Sequence, residues 1–125
     1  MATVFTAAGS AITTNRVKNG ATGATEPNYV GWGTGAGTAA AGDTTLFTEA
    51  SETRVSGTSS RQTTTTANDT YQVVGTLTAD GSKTITNVGL FDASTAGNMF
   101  MKADFTGVAL ALNESIQFTL KVQYN

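Results

Sequence analysis

The stretch that decides the fold is Ser115-Ile116-Gln117-Phe118-Thr119-Leu120-Lys121-Val122-Gln123-Tyr124, where apolar and polar residues alternate without a break. Successive side chains of a strand point to opposite faces, so its five apolar residues share one face. A helix would scatter the same residues around its circumference. Burying such a face is worth roughly 1.5–3 kcal/mol per large side chain. We therefore predict a central strand, to which the other strands of a sheet pair.

The composition favours an all-β fold with one core. The chain has 125 residues, with 14 Gly, a single Pro and only 13% charged residues. Thr is abundant and suits a pleated, half-solvated surface, whereas Gly suits turns. This length fits one domain better than two. About seven short strands with turn signals between them predict a single antiparallel β-sandwich, jelly-roll or immunoglobulin-like.

Several classes of function are disfavoured by what the chain lacks. It contains no Cys and no His, which excludes disulfides, thiolate chemistry, His-metal sites and Ser-His pairs. A net charge of −2 and a pI near 4.8 give no basic surface for nucleic acid or anionic lipid. The first residues do not show the pattern of a signal sequence and no apolar run approaches about 18 residues, so we expect neither a secretion signal nor a membrane span. We expect no enzyme activity, no cofactor, no metal, no nucleic-acid or membrane partner, and assembly in a cytoplasm.

The first 27 residues differ in pattern from the rest. Their alternation is weak, and it ends in the small polar residues of Lys18–Thr25. We predict a strand at Ser10–Val17, preceded by an arm that Val4 and Phe5 anchor. Glu26 must be extended because Pro27 follows it. The predicted domains are an N-terminal arm or strand, residues 1–27, and a β-sandwich, residues 28–125.

The middle of the chain predicts further strands. Asn28–Gly33 is a short strand, and Ala79-Asp80-Gly81-Ser82 is the strongest hairpin signal because Asp-Gly accepts tight turns. In Lys83–Ala93 the apolar residues change parity, so we expect a bulge near Asn87-Val88-Gly89. The predicted core packs Ile116, Phe118, Leu120 and Val122 against Leu77, Leu90, Met101 and Phe105.

The segment Arg54–Ala67 favours a strand but is polar on both faces. Such a strand lies at a sheet edge or extends as a β arm towards another subunit. The alternative is an ordinary hairpin with Thr70–Ala79 inside one sandwich. Tyr29 and Trp32 are core residues or, less commonly, an aromatic platform for a sugar or base. The predicted interaction surface comprises Arg54, Arg61, Thr63, Thr65, Tyr29 and Trp32.

One short motif resembles a dinucleotide fingerprint. Gly31-Trp32-Gly33-Thr34-Gly35-Ala36 fits G-x-G-x-x-A, and Glu52 lies near the expected acidic position. The fingerprint requires a following helix within a parallel βαβ unit. Gly37, Gly42 and a polar strand follow instead, so we interpret the match as accidental.

The acidic residues do not form a catalytic pattern. Asp80, Asp92 and Asp104 recur at even spacing, but each is predicted at a turn or on a solvent face. General acid-base chemistry requires carboxylates that converge in a cleft. A surface Ca²⁺ bound by Asp80, Asn87 or Asp92 stays open as an alternative, although no Asp-rich loop supports it.

Four short segments carry a family resemblance. They are Tyr29–Gly35, Asp43–Glu49, Ile85–Ala93 and Gly97–Phe100, followed by the alternating strand at the end. Together, over Asn28 to Asn125, they resemble small structural proteins of tailed bacteriophages. The resemblance implies a protein of the virion that associates with itself and with other virion proteins.

Within that class the short length favours a capsid decoration (cement) protein that binds and stabilises the outside of the major capsid shell. The alternative is a tail, collar or fibre-base structural protein. A carbohydrate-binding β-sandwich is a third interpretation, and an enzyme is the fourth. The expected partners are the major capsid protein or another virion protein, and further copies of the chain in a dimer or trimer.

Overall fold

Two antiparallel sheets face each other and enclose the core. The computed structural model describes residues 1–18 and 25–124. Its elements are β1 (Thr3–Phe5), α1 (Ala7–Lys18), β2 (Tyr29–Gly33), β3 (Val55–Ser56), β4 (Thr58–Gln62), β5 (Thr70–Thr78), β6 (Lys83–Phe91), β7 (Met99–Leu110) and β8 (Ser115–Gln123). The strand order is β1-β7-β6-β2-β3 in one sheet and β4-β5-β8 in the other. The predicted all-β sandwich is confirmed.

The core lies between the sheets and agrees with the prediction. Leu77, Leu90, Met101 and Leu120 are buried, and the partly buried side chains of Phe105, Ile116, Phe118 and Val122 pack against them. Burial of so much apolar surface supplies the main driving force for closing the sandwich. The faces assigned from the alternating pattern are therefore correct.

The last strand is not central, which corrects the prediction. β8 alternates as expected, but it pairs only with β5 and forms one edge of the three-stranded sheet. The period-two pattern determines which face of a strand is buried. It contains no information on how many neighbouring strands pair with it.

The extended β arm was also wrong. β4 pairs with β5 over five positions, from Thr58↔Val74 to Gln62↔Thr70, so the hairpin alternative is correct. A strand with two polar faces is tolerated here because β4 is the other edge of the three-stranded sheet. Hydrogen bonds to β5 satisfy the N–H and C=O groups along one side of β4 within the same chain.

The N-terminal strand predicted at Ser10–Val17 is a helix instead, α1. Thr6 caps it, since the Thr6 hydroxyl accepts a hydrogen bond from the Gly9 amide at 2.9 Å and donates to the Met99 carbonyl. Gly9 is required because a Cβ there would lie 2.2 Å from the Phe100 carbonyl oxygen. Tertiary contact with β7 thus outweighs the low helix propensity of this stretch. The division of the chain after residue 27 stays a prediction.

Asp80-Gly81 does not form the expected hairpin. β5 lies in the three-stranded sheet and β6 in the five-stranded one, so the residues between them cross from one sheet to the other. A turn signal marks a change of direction and does not select the partner strand. The bulge expected near Asn87 is present, because the register of β6 against β7 shifts between Ile85 and Asn87.

A loop covers the outer face of the five-stranded sheet. Residues 34–54 connect β2 to β3, and Leu46 from this loop packs with Phe91 and Met99 in a second, smaller cluster. Glycines on β2 allow the loop to approach closely, since a Cβ on Gly33 would lie 2.5 Å from the Phe47 carbonyl oxygen. Asn87 and Lys102, two polar side chains of this sheet, are therefore buried under the loop.

Candidate interaction surfaces

Tyr29 and Trp32 do not form one aromatic platform. Trp32 is 1% exposed and belongs to the main core, where its ring meets Phe118 edge-on with 6.4 Å between centroids. Tyr29 is half-buried and packs on the opposite face of β2, against the smaller cluster under the loop. The core interpretation of Trp32 is therefore correct.

Arg54 is buried and ties together two loops. Its guanidinium donates two hydrogen bonds to Glu49, at 2.7 and 2.9 Å, and two more to the carbonyls of Ala93 and Ala96, at 3.0 and 2.8 Å. It also lies over the Phe91 ring, 3.5 Å from the centroid. This bidentate, stacked geometry is one that only Arg provides. In this fold the side chain fixes the loop after β6, and its part in an interaction surface stays a prediction.

Arg61, Thr63 and Thr65 are exposed and form what we call the β4 edge surface. The loop that carries the two threonines is held by Asp69, whose carboxylate accepts the backbone amides of Thr64, Thr65 and Thr66, each at 2.9 Å. These hydrogen bonds lower the pKa of Asp69, and the bond from the Thr66 amide has the largest effect. The loop is thus ordered, and its role as an interaction surface stays a prediction.

Glu52 is the centre of a buried polar cluster that sequence analysis missed. Its side chain is 8% exposed and accepts hydrogen bonds from the Trp32 indole and the Asp80 amide, both at 2.9 Å, and from the Lys83 ammonium. Burial alone would raise the pKa of Glu52, but these hydrogen bonds lower it from 4.5 to about 2. The cluster ties the loop before β3 to the crossover before β6.

Lys102 forms a second cluster that the sequence did not reveal. It is 1% exposed, and its ammonium contacts Asp43 at 3.0 Å, the Thr45 carbonyl at 2.8 Å and the Phe47 ring at 3.2 Å. Asp43 also accepts a hydrogen bond from the Ala40 amide at 3.0 Å. Hydrogen bonding to Ala40 and then to Lys102 lowers the pKa of Asp43. The Lys102 ammonium, on β7, thus fastens the loop that covers the five-stranded sheet.

The evenly spaced acids hold loops rather than converge. Asp92 accepts the Asn98 amide at 2.7 Å, and Asp104 accepts the amides of Ala39 and Ala2 at 2.6 and 3.2 Å. Within residues 1–18 and 25–124, no three acidic, His or Cys side chains group so that they could hold a metal ion. In the same part of the chain no helix is long and apolar enough to span a membrane. Asp92 and Asp104 thus each fasten a neighbouring loop or terminus.

An open apolar groove lies between the sheets, beside β8. A groove of about 480 Å³ opens there, with β1 and β7 on one side and β8 on the other. Its apolar lining consists of Met1, Val88, Met101, Ala103, Phe105, Val108, Ile116, Phe118 and Leu120. We call this groove, together with the free edge of β8, the β8 flank. Sequence analysis placed five of these residues inside the core: Met101, Phe105, Ile116, Phe118 and Leu120.

A comparison with protein families gives one match. The sequence model of the family described as "Podophage GP4 fiber I protein gp80" matches residues 5–123, nearly the whole chain. No curated protein and no solved structure matches significantly.

The match confirms the resemblance to small structural proteins of tailed phages and locates the protein in the virion. It supports a tail-associated or fibre structural protein, the alternative above, better than capsid decoration. A virion structural protein binds other virion proteins, in agreement with the expected class of partner. The chain belongs to the family of podophage GP4 fiber I protein gp80, a family of phage fibre structural proteins.

Proposed function

We propose that this protein is a structural subunit of the tail-fibre apparatus of a podophage, in the fibre or at its base, rather than a decoration protein on the capsid. The observation that carries this proposal is the fibre family match, which spans both sheets of the sandwich and the helix. Buried polar groups support it, since Glu52, Arg54 and Lys102 are each used to fasten loops. Such a rigid module is suited to holding neighbours in place.

The β4 edge surface is our candidate contact with a different virion protein. β4 is an edge strand. The backbone bonds of Asp69 and Ala79 show that odd-numbered residues of β5 pair with β8, so the even-numbered residues of β4 form the hydrogen-bonded pairs with β5. The backbone groups of Ser59 and Arg61 therefore point away from the sheet. A strand of the partner could add to this edge, with main-chain bonds for affinity and the Arg61 and Thr63 side chains for register.

Fractionation of virions tests the location. Disrupted particles are separated into tails and shells, and an antibody against this protein is applied to both, with the major capsid protein as the marker for shells. We expect the protein in the tail fraction. Recovery with the shells would favour the capsid decoration interpretation instead.

A charge reversal tests the contact. Arg61→Glu should reduce incorporation into tails without changing thermal unfolding, because the side chain is exposed. Lys18→Glu, an equal reversal at the exposed end of α1, is the matched control and should be incorporated normally. Equal incorporation of both variants would show that the β4 edge surface is not the contact.

A further inference from the structure

The two flanks of the sandwich differ in how they are closed. On one flank the chain itself passes from the five-stranded sheet to the other, from β3 through Gly57 to β4. Gly57 is packed so tightly that a Cβ would lie 2.5 Å from Val73. On the opposite flank β1 covers only three residues of β7, from Met101 to Ala103. That side, the β8 flank, is the open one.

The backbone of β8 shows which of its groups are free. The Tyr124 amide donates to Asp69 at 3.0 Å and the Ala79 amide to Glu114 at 2.8 Å, so even-numbered residues of β8 form the hydrogen-bonded pairs with β5. The peptide groups of Ser115, Gln117, Thr119 and Lys121 consequently point outwards. In the described part of the chain, no strand pairs with this edge.

Protective features are scarce along this edge. Natural edge strands are kept from pairing by Pro, by bulges, by several charges or by being short. β8 has nine residues in unbroken register with β5, carries no Pro and has one charged residue, Lys121. Below it the rings of Phe105 and Phe118, 6.1 Å apart, are only half-buried, and Val108 is 41% exposed. Within residues 1–18 and 25–124, the edge of β8 and the apolar groove beside it are thus both open.

We propose that the β8 flank binds a second copy of this chain, with the two β8 strands antiparallel about a two-fold axis at Thr119. This register pairs all nine residues of the strand with their counterparts. Apolar side chains then meet apolar ones, as Ile116 faces Val122 and Phe118 faces Leu120 of the other copy. Lys121 faces Gln117, so no like charges lie opposite each other. A strand that complements itself in this way suits an isologous dimer.

The contact is large enough for a specific but dissociable dimer. Nine residues extend about 30 Å, and the sheets are about 10 Å apart. The height of the flank is this separation plus the width of one strand. The two copies together would therefore bury on the order of 1,000 Å², the lower limit for a specific interface. The outward groups of β8 would form roughly ten ladder hydrogen bonds. Copies would pair in this way whether the protein resides in a tail or in a shell.

Sedimentation of the full chain tests the dimer. Between about 1 µM and 1 mM, where an interface of this size dissociates, the mass should rise from that of a monomer to that of a dimer. Thr119→Pro should stay monomeric, because Pro removes an outward amide and no bond to β5. Thr119→Ser, the control, keeps the amide and should dimerise. A wild-type monomer at all concentrations, or a trimer, would overturn the proposal.

Single cysteines test the register independently of how Thr119→Pro folds. The chain has no Cys, so each variant carries one thiol. In Thr119→Cys the two thiols meet on the axis, with Cα atoms about 5.5 Å apart, within disulfide reach. In Gln117→Cys each cysteine lies opposite residue 121 of the other copy, so the two cysteine Cα atoms are four residues apart along the strands, about 13 Å. We expect a covalent dimer from Thr119→Cys alone; equal yields from both variants, or none from either, would refute the axis.

Discussion

Replacing Glu52 by Gln should remove a defined part of the acid sensitivity of this protein. The pKa of Glu52 is lowered from 4.5 to about 2 in the folded state, so the unfolded chain takes up its proton first as pH falls. The resulting stability is complete above about pH 5 and is lost progressively towards pH 2. The two pKa values correspond to about 3 kcal/mol at most. Because the Asp80 side chain on Lys83 is 59% exposed and solvent screens that side of the cluster, we expect about 1–2 kcal/mol.

Urea unfolding of both proteins at several pH values between 6.5 and 2.5 measures this effect, with Trp32, the single tryptophan, as a local fluorescence probe. Asp43 and Asp104 also have a lowered pKa, and they contribute to the pH dependence of both proteins alike. The difference between wild type and Glu52→Gln should be about 1–2 kcal/mol at pH 6.5 and should fall to about a quarter of that at pH 2.5. A difference that does not change with pH would refute the role assigned to this carboxylate.

Three further predictions follow from packing and from the acid clusters. Leu77→Ala, at a core position only 1% exposed, should cost about 2–5 kcal/mol in chemical denaturation, and more than Phe118→Ala on the open flank. Equal losses would contradict the placement of Phe118. Gly33→Ala should lower Tm because its Cβ would collide with the Phe47 carbonyl, whereas Gly42→Ala, with no atom within 4 Å, should not. In EDTA the Tm should not change, since a bound metal would add stability by mass action; a drop of several degrees would restore the Ca²⁺ hypothesis.

Local patterns predicted the strands well and their partners poorly. The alternation in β8 identified its buried face, and the change of parity in β6 identified an irregularity within two residues of its place. Strand pairing is a non-local choice that turn residues influence only weakly. Asp80-Gly81 was therefore taken for a hairpin, although β5 pairs with β4 and β8 instead of β6.

For the candidate interaction residues, too, local features were predictable and long-range contacts were not. Arg61 and the threonines after it are exposed, as an edge strand with two polar faces predicts. Arg54 looks equivalent in the sequence but is buried, because Glu49 and two loop carbonyls surround it. The clusters around Glu52 and Lys102 gave no signal, since their members are distant in sequence and each residue alone resembles a surface charge.

The sequence by itself determined the all-β class, the buried face of the last strand, the shortage of catalytic side chains and the relation to phage structural proteins. These depend on composition, on period-two alternation and on short local motifs, which one chain displays directly. Only the tertiary structure decided that residues 7–18 form a helix, that β8 is an edge and that one flank is open. Edges and open flanks are relations between strands far apart in sequence, and α1 forms where Gly9 and Thr6 meet the backbone of β7. Long-range packing outweighs local propensity at such places.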